Sequence, residues 1–328
     1  MVKINSTDTT EMIQKSRPNL KPNSIKQYEA HLKKLQKIYD TDNYDFLSNP
    51  SEVMDKLSDK HYTSIRNTLN AVIILLMALN EDDKYNKLIG DYQKERDKLN
   101  DKYLEDQQSG KISEKQKKNF AELSEIQSMI NKMEKEIKEK EIKKKSSLKV
   151  KERELMMVYT IYNILIRIPT RNDMAGMELI TKTGYNKLTE DQMKNTNYLV
   201  KEKSKMFFVL NEYKTSKKYG QKNIDIPKDL EKILRSYIKV MDKKPGDVLF
   251  TSSTGNAISR NSISQLLMKT SKNYLNKSIS TTMMRKVVAS HHFGPDSEFG
   301  KLKAKQEKLA DAMAHDTATQ NLVYVKEK

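Results

Sequence analysis

Apolar residues recur at helical spacing in the first part of the chain, after a polar stretch at residues 1–16 that predicts an arm. The sequence from Ser24 to Gln27 has the composition of a capping box and predicts the start of one helix. Residues 62–80 predict a second helix, because their apolar positions fall on one face. Together these patterns predict an all-helical domain over residues 17–83.

Residues 84–148 are dominated by lysine, glutamate, aspartate, glutamine and asparagine. They carry only a modest apolar stripe, so the pattern predicts two long polar helices, broken near Ser109, that form a charged arm and linker. Two interpretations remain open. The arm contacts DNA or a sister subunit, or it is a solvated helical hairpin.

From residue 149 onward, helical patterns alternate with short apolar segments. Residues 155–165 predict an apolar helix, and residues 207–212 and 223–226 predict two strands joined by a lysine-rich turn. Further helical patterns follow at 230–238, 259–268, 281–289 and 309–325. The predicted fold class is mainly α with a small antiparallel β-sheet (α+β), and residues 149–328 form the second domain.

The net charge of the chain indicates the kind of partner that it binds. The chain has 61 lysine and arginine residues against 44 aspartate and glutamate residues, a formal net charge of +17. Such a charge favours a polyanionic partner, because neutralising phosphates releases counterions. Nucleic acid is the expected partner. An acidic membrane surface competes with it, and a lysine-rich, well-solvated protein without a polyanionic partner is the simplest alternative.

Composition also excludes some classes of function. Cysteine is absent, so disulfides, thiolate metal sites and cysteine catalysis are excluded. The longest strongly apolar run, residues 71–79, is far shorter than the roughly 20 residues that span a bilayer, and the first residues lack the apolar core of a signal peptide. We therefore expect no membrane partner, no secretion, and an intracellular location with access to DNA, in a nucleus, cytoplasm or nucleoid.

Breaking a DNA strand without water requires a nucleophile for phosphorus, cations for the two non-bridging oxygens, and a proton for the departing 5′ oxygen. A tyrosine hydroxyl suits the attack, arginine forks suit the oxygens, and lysine or histidine suits the proton transfers. Only nine of the 61 basic residues are arginine, so each arginine is a candidate for such a role.

Residues of these types occur in a recognisable order. His315 precedes Tyr324 by 324 − 315 = 9 positions. Arg285 lies in a helical pattern before them, Arg171 follows an apolar helix, and Lys214 lies in the turn between the two predicted strands. In order and spacing these residues resemble the motifs of the tyrosine recombinases, or phage-type integrases.

The resemblance implies a fold, a reaction and a partner. A helical core-binding domain and a catalytic domain would form a C-shaped clamp on double-stranded DNA. The chain would be a site-specific recombinase or integrase of a virus or mobile element that cleaves and rejoins DNA through a 3′-phosphotyrosyl intermediate. No metal, ATP or other cofactor is expected, and four protomers would assemble on two DNA sites.

The resemblance also assigns roles. Tyr324 would be the nucleophile, and Arg171 and Arg285 would clamp the scissile phosphate. His315 would bind that phosphate or accept the tyrosine proton, and Lys214 would protonate the leaving 5′ oxygen.

The sequence departs from the family at Thr282, three positions before Arg285, where the family has histidine or lysine. Either a hydroxyl serves there, or nearby lysines or His291 compensate. Alternative functions are a type IB topoisomerase-like or telomere-resolving enzyme, which uses the same residues, or a degenerate DNA-binding protein that no longer cuts.

Three neighbouring residues are possible supporting residues or rivals. Asp173 lies two positions after Arg171 and could brace it or cap a helix. Lys217 and Lys218 lie in the same turn as Lys214 and compete with it for the catalytic role.

Overall fold

The computed structural model describes residues 6–314 and 316–321, and the chain divides into two compact units, Met1–Ile112 and Ser113–Lys328. The first unit is helical in its described part, and the second combines helices with a four-stranded sheet. Within the described ranges, no helix combines the length and apolar composition needed to cross a membrane.

Five α-helices of the described chain form the first unit: α1 (Ser6–Ser16), α2 (Pro22–Ile38), α3 (Pro50–Leu57), α4 (Tyr62–Ala78) and α5 (Asn86–Gln108). Their apolar faces meet in one core, with α4 packed against α1, α2 and α5. Tyr92 on α5 is fully buried, and its hydroxyl donates to the Leu47 carbonyl at 2.9 Å.

Residues 6–16 of the stretch that the sequence predicts to be a polar arm form the helix α1. One apolar side chain attaches it, because Ile13 is fully buried in the core of the first unit. The other residues of α1 are mostly polar, so the sequence has no apolar stripe that would predict the helix. The next helix begins at Pro22 rather than at Ser24, since proline suits the first turn of a helix and needs no N–H partner there.

The second unit holds the remaining helices and all four described strands. The helices are α6 (Glu114–Lys117), α7 (Leu123–Glu139), α8 (Val150–Arg167), α9 (Lys182–Tyr185), α10 (Glu190–Asn195), α11 (Ser216–Tyr219), α12 (Lys228–Val240), α13 (Arg260–Leu275), α14 (Thr281–Phe293), α15 (Glu298–Ala312) and α16 (Thr317–Thr319). The strands are β1 (Glu178–Thr181), β2 (Tyr198–Lys201), β3 (Met206–Leu210) and β4 (Lys222–Asp225).

The sheet has the order β1-β2-β3-β4, so the mainly α, α+β class is confirmed. The predicted antiparallel pairing is present between β3 and β4 and extends to β2, and the sheet as a whole is mixed because β1 pairs with β2 in parallel. The sequence pattern located β3 and β4 and missed β1 and β2. Each of the missed strands has four residues, too few to establish a period, whereas the equally short β4 lies between the lysine-rich turn and Pro227, which mark its ends.

The helix α8 is the centre of the second unit, and eleven of its eighteen residues are buried. One face of α7 packs against it through the apolar stripe Ile126, Met129, Ile130, Met133 and Ile137. The expected arm of residues 84–148 is therefore divided between the units: α5 belongs to the first core and α7 to the second. The break between the units falls after Ile112, close to the predicted break near Ser109.

The segment before the C-terminus is more helical than its sequence suggests. Residues 296–300 break the apolar pattern, yet α15 begins at Glu298, capped by the Ser297 hydroxyl, which accepts from the Gly300 N–H at 2.9 Å. The helix ends at Ala312, and Ala314 then has a φ of 57°. A left-handed residue ends a helix because it turns the chain away from the helical axis.

If α7 is a core helix, Ile130→Ala should destabilise the second unit. Ile130 is 2% exposed, and removing a buried isoleucine side chain to its Cβ costs about 2–5 kcal/mol. Denaturant unfolding of the full chain measures the loss. Lys132→Ala on the exposed face of the same helix is the control and should change stability by less than about 0.5 kcal/mol. Similar effects of the two changes would contradict the placement of α7.

Candidate active site

Arg171 lies in the loop that connects α8 to β1. The helix ends at Arg167 because Pro169 follows and proline cannot continue a hydrogen-bonded helix. The Arg171 side chain is exposed, whereas Asp173 is 5% exposed and accepts a hydrogen bond from the Arg171 backbone. The loop therefore presents an arginine outward while a carboxylate underneath fixes its backbone.

The amide of Asn172 ties this loop to two helices. Its nitrogen donates to the Arg260 carbonyl at 2.5 Å and to the Ser264 hydroxyl at 2.8 Å, both on α13. Its oxygen accepts from the Thr281 hydroxyl at 2.5 Å, at the first residue of α14. One side chain thus joins the Arg171 loop to the N-terminal ends of α13 and α14.

Arg285 lies one turn into α14 and faces the same loop. Its Nε donates to the Pro169 carbonyl at 3.2 Å, two residues before Arg171. The start of α14 is capped by Ser280, whose hydroxyl accepts from the Met283 N–H at 3.3 Å. The structure therefore brings the two predicted clamp arginines to one neighbourhood. Thr282, on the same turn, has an exposed side chain.

Lys214 lies between β3 and β4, in a loop that contains the short helix α11 where the sequence predicted a simple turn. The hydroxyl of Tyr213, a buried residue, donates to the Gly220 carbonyl at 2.7 Å and closes the loop. Lys214 and Lys217 are both exposed. Lys218 lies over the Tyr219 ring at 5.3 Å, so its ammonium group already has an aromatic contact.

Arg260 connects the two loops, and sequence reasoning missed it. Its Nη2 donates to the Glu212 carbonyl at 3.2 Å, two residues before Lys214. The same nitrogen lies 3.7 Å from the Asp173 carboxylate and 3.6 Å from that of Glu212. The scarcity of arginine was the only signal that could have singled it out.

A second amide, that of Asn197, holds the loops from the sheet side. Its nitrogen donates to the carbonyls of Asp173 and Glu212, at 2.8 and 2.9 Å. Its oxygen accepts from the N–H groups of Asn211 and Glu212, at 2.8 and 2.9 Å. The amide uses both donors and both acceptor positions, and Asn197 is only 4% exposed.

The electrostatics of the site are set by several cations around one buried carboxyl. Burial raises the pKa of the Asp173 carboxyl above its ordinary value, and the charges of Arg260 and Arg171 act in the opposite direction. The Asp173 carboxylate can orient the neighbouring arginines from its buried position, because their charges partly offset its own.

His315 and Tyr324 lie outside the described residues. The structure thus joins the segments that carry Arg171, Arg285 and Lys214, and it says nothing of the histidine and the tyrosine. No group of three or more histidine, aspartate or glutamate residues within 6–314 and 316–321 could hold a metal ion.

Two cavities lie elsewhere in the second unit. One, of about 570 Å³, is lined in part by His291, His292 and Glu298, and the other, of about 360 Å³, by Arg153 and Thr254 among others. Neither is lined by a predicted catalytic residue. The candidate site is an exposed surface of loops and helix ends, which suits a large ligand better than a small one.

Comparisons with known proteins give structural neighbours only. No protein-family model and no curated protein matches the chain. The chain is similar to the integrase of the transposon Tn1549 in complex with transposon right-end DNA, with a TM-score of 0.49, 13% identity, and coverage of 99% of this chain and 96% of that chain. It is also similar to XerA recombinase, with a TM-score of 0.35, 12% identity, and coverage of 98% and 94%. Both are tyrosine recombinases.

Asn197→Ala should destabilise the second unit by about 2–4 kcal/mol, because buried donors and acceptors left without partners cost about 1–3 kcal/mol each. Denaturant unfolding measures this loss. Asn195→Ala is the matched control, since Asn195 is exposed and its amide makes one hydrogen bond, to the Asp191 carbonyl. Equal losses for the two variants would show that Asn197 does not brace the loops.

Proposed function

We propose that this chain is a site-specific DNA recombinase or integrase that cleaves and rejoins DNA through a 3′-phosphotyrosyl intermediate. One observation carries the proposal. The hydrogen bonds of Asn172, Arg260 and Asn197 join the Arg171 loop, the start of the Arg285 helix and the Lys214 loop, which are far apart in sequence. The resemblance of the motifs names those same three residues as parts of one phosphate site.

The proposed cleavage exchanges one phosphodiester bond for another. The Tyr324 oxygen forms a bond to phosphorus, the bond from phosphorus to the 5′ oxygen breaks, and a proton from Lys214 goes to that oxygen. Arg171 and Arg285 offset the charge on the two non-bridging oxygens. His315 binds the phosphate or takes the tyrosine proton. Rejoining reverses each transfer, so the bond to tyrosine conserves the energy of the broken strand.

Among the lysines of the β3–β4 loop we favour Lys214 over Lys217. Glu212, two residues before Lys214, is held by Asn197 and Arg260, so the backbone near Lys214 is fixed relative to the Arg171 loop. Lys217 lies further along, on α11, whose backbone hydrogen bonds, such as that from the Lys218 N–H to the Thr215 carbonyl, stay within the loop.

The proposed partner is double-stranded DNA, in agreement with the net charge of +17. Lysine contacts to phosphates would supply affinity without sequence readout. Exchange between two duplexes requires four strands to be cut, so we propose that four protomers act together on two sites. We also propose an intracellular setting, in a virus or a mobile element, where the enzyme meets DNA.

A DNA-binding protein without cleavage activity is the second candidate. Thr282 favours it, because this exposed hydroxyl replaces the histidine or lysine that the family places one turn before the second arginine. Topoisomerase-like and telomere-resolving enzymes share the proposed chemistry. Relaxation of any supercoiled plasmid, joining of two defined sites, and closure of hairpin ends distinguish the three activities.

The first test is covalent trapping on DNA. The unaltered chain is mixed with a pool of random-sequence duplexes that carry nicks, so that cleavage near a nick releases a short fragment and prevents rejoining. We expect a detergent-resistant protein–DNA adduct, and sequencing of its DNA gives the cleavage position. Tyr324→Phe should give no adduct, because phenylalanine has no nucleophilic oxygen.

Two further variants make this test specific. Arg285→Ala should lower adduct formation by at least about 100-fold, because a group that stabilises charge in the transition state contributes about 10²–10³-fold. Tyr219→Phe, at an exposed tyrosine of the same unit, should leave the yield unchanged. An adduct of normal yield with Tyr324→Phe would contradict the nucleophile. DNA binding without any adduct in the unaltered chain would favour the second candidate.

Binding to DNA should fall steeply with salt. With six or more phosphate contacts, the affinity should drop on the order of 10³-fold between 50 and 200 mM salt, since each neutralised phosphate releases counterions. Fluorescence anisotropy with a labelled duplex measures the slope of log K against log salt. A flat response would contradict binding through the charge of the chain.

A further inference from the structure

We infer that Arg260 is a positioning residue that sets the distance between the clamp arginine and the lysine that protonates the leaving oxygen. This inference rests on the proposed function. The sequence motifs assign Arg260 no role, yet its side chain, like that of Asn197, touches both the Arg171 loop, at Asp173, and the Lys214 loop, at Glu212.

The backbone of Arg260 is held from two directions. It is the first residue of α13, and Ser259 caps that helix by accepting from the Ser262 N–H at 3.0 Å. Its own carbonyl accepts from the Asn172 amide at 2.5 Å. The Cα atom of Arg260 is therefore fixed relative to the loop that carries Arg171.

From this fixed backbone, the Arg260 side chain extends to the Lys214 loop. The Nη2 atom donates to the Glu212 carbonyl at 3.2 Å and lies within 3.7 Å of the Asp173 carboxylate. Lys214 is two residues beyond Glu212 and is itself exposed, so the backbone before it decides where its ammonium group can reach. One planar guanidinium thus links the Arg171 loop and the Lys214 loop.

Because the Arg260 side chain is exposed, we expect its replacement to affect the position of Lys214 more than the stability of the fold. The side chain of Arg260 is 44% exposed, and the charge of Arg171 still acts on the buried Asp173 carboxylate when Arg260 is replaced. Asn197 still binds the Glu212 backbone when Arg260 is replaced. We therefore expect an Arg260 variant to fold and bind DNA while its Lys214 ammonium is misplaced for proton transfer.

A substrate with sulfur in place of the 5′ bridging oxygen isolates that proton transfer. In cleavage, the Tyr324 oxygen bonds to phosphorus and the bond from phosphorus to sulfur breaks, and the sulfur leaves as a thiolate. A thiol has a pKa of about 8.5, so its anion departs without a proton from lysine. A variant that is defective only in placing Lys214 should cleave this substrate at a normal rate.

The experiment compares cleavage rates on the oxygen and sulfur duplexes, with sulfur placed at the cleavage position recovered from trapping. Arg260→Ala should be slowed about 10- to 100-fold on the oxygen duplex, since a general acid contributes about 10²–10⁴-fold and misplacement removes part of that. On the sulfur duplex it should cleave within about threefold of the unaltered chain, as Lys214→Ala also should. Arg260→Lys should recover little, because it keeps the charge but replaces the planar guanidinium with an ammonium on a flexible stem.

Two controls fix the interpretation. Arg285→Ala should be slow on both duplexes, because the charge on the non-bridging oxygens is the same in each. Arg235→Ala is the matched arginine, since its Nη2 also donates to a loop carbonyl, that of Glu202, at 3.2 Å and pairs with the carboxylate of Glu231. It should keep the ratio of the two rates seen in the unaltered chain.

Two results would overturn the inference. If Arg260→Ala is equally slow on both duplexes, Arg260 contacts the phosphate or supports the fold, and if it is normal on the oxygen duplex, it has no part in cleavage. Failure of the proposed function looks different, because the unaltered chain would then form no adduct on either duplex.

Discussion

The side-chain amide of Asn197 is the constraint on which the candidate site depends. Asn197 lies just before β2. Its side chain makes hydrogen bonds to backbone groups of the segment that precedes β1 and of the segment that follows β3. These groups sit at loop ends, where no strand partner is available, and a buried polar group without a partner is costly. Because the amide is fully used, a large displacement of either loop would break at least one of these four hydrogen bonds.

This bracing explains how exposed loops can hold cations in fixed places. Arg171 and Lys214 both lie on loops, which tolerate large ligands but are usually mobile. Asn172 and Arg260 add ties to the helix ends, and Arg285 adds one more through the Pro169 carbonyl. The cations are therefore arranged before an anion arrives, which reduces the reorganisation that binding or reaction requires.

The mainly helical class could be predicted from sequence, and Arg171 and Arg285 could be singled out as candidates, because each has a local signal. Scarcity marks Arg171 and Arg285, and long apolar stripes mark α4 and α8. The ties between them have no such signal. Asn172 meets Thr281 across 109 positions, and nothing in the residues around either one indicates the pairing. Arg260 has only the scarcity of arginine as a signal and no motif around it, and α1 was missed because Ile13 is its one residue in the apolar core of the first unit.

The parallel pairing of β1 with β2 also decides the order in which the second unit can assemble. Strands β2, β3 and β4 are joined to their neighbours by shorter antiparallel connections, whereas β1 reaches β2 only through the segment that contains α9 and α10. Contacts that close longer loops form later, since they cost more chain entropy. The Arg171 loop directly precedes β1, so its ties to the Lys214 loop form late. A chain that has not finished folding therefore lacks the arrangement of cations at the candidate site.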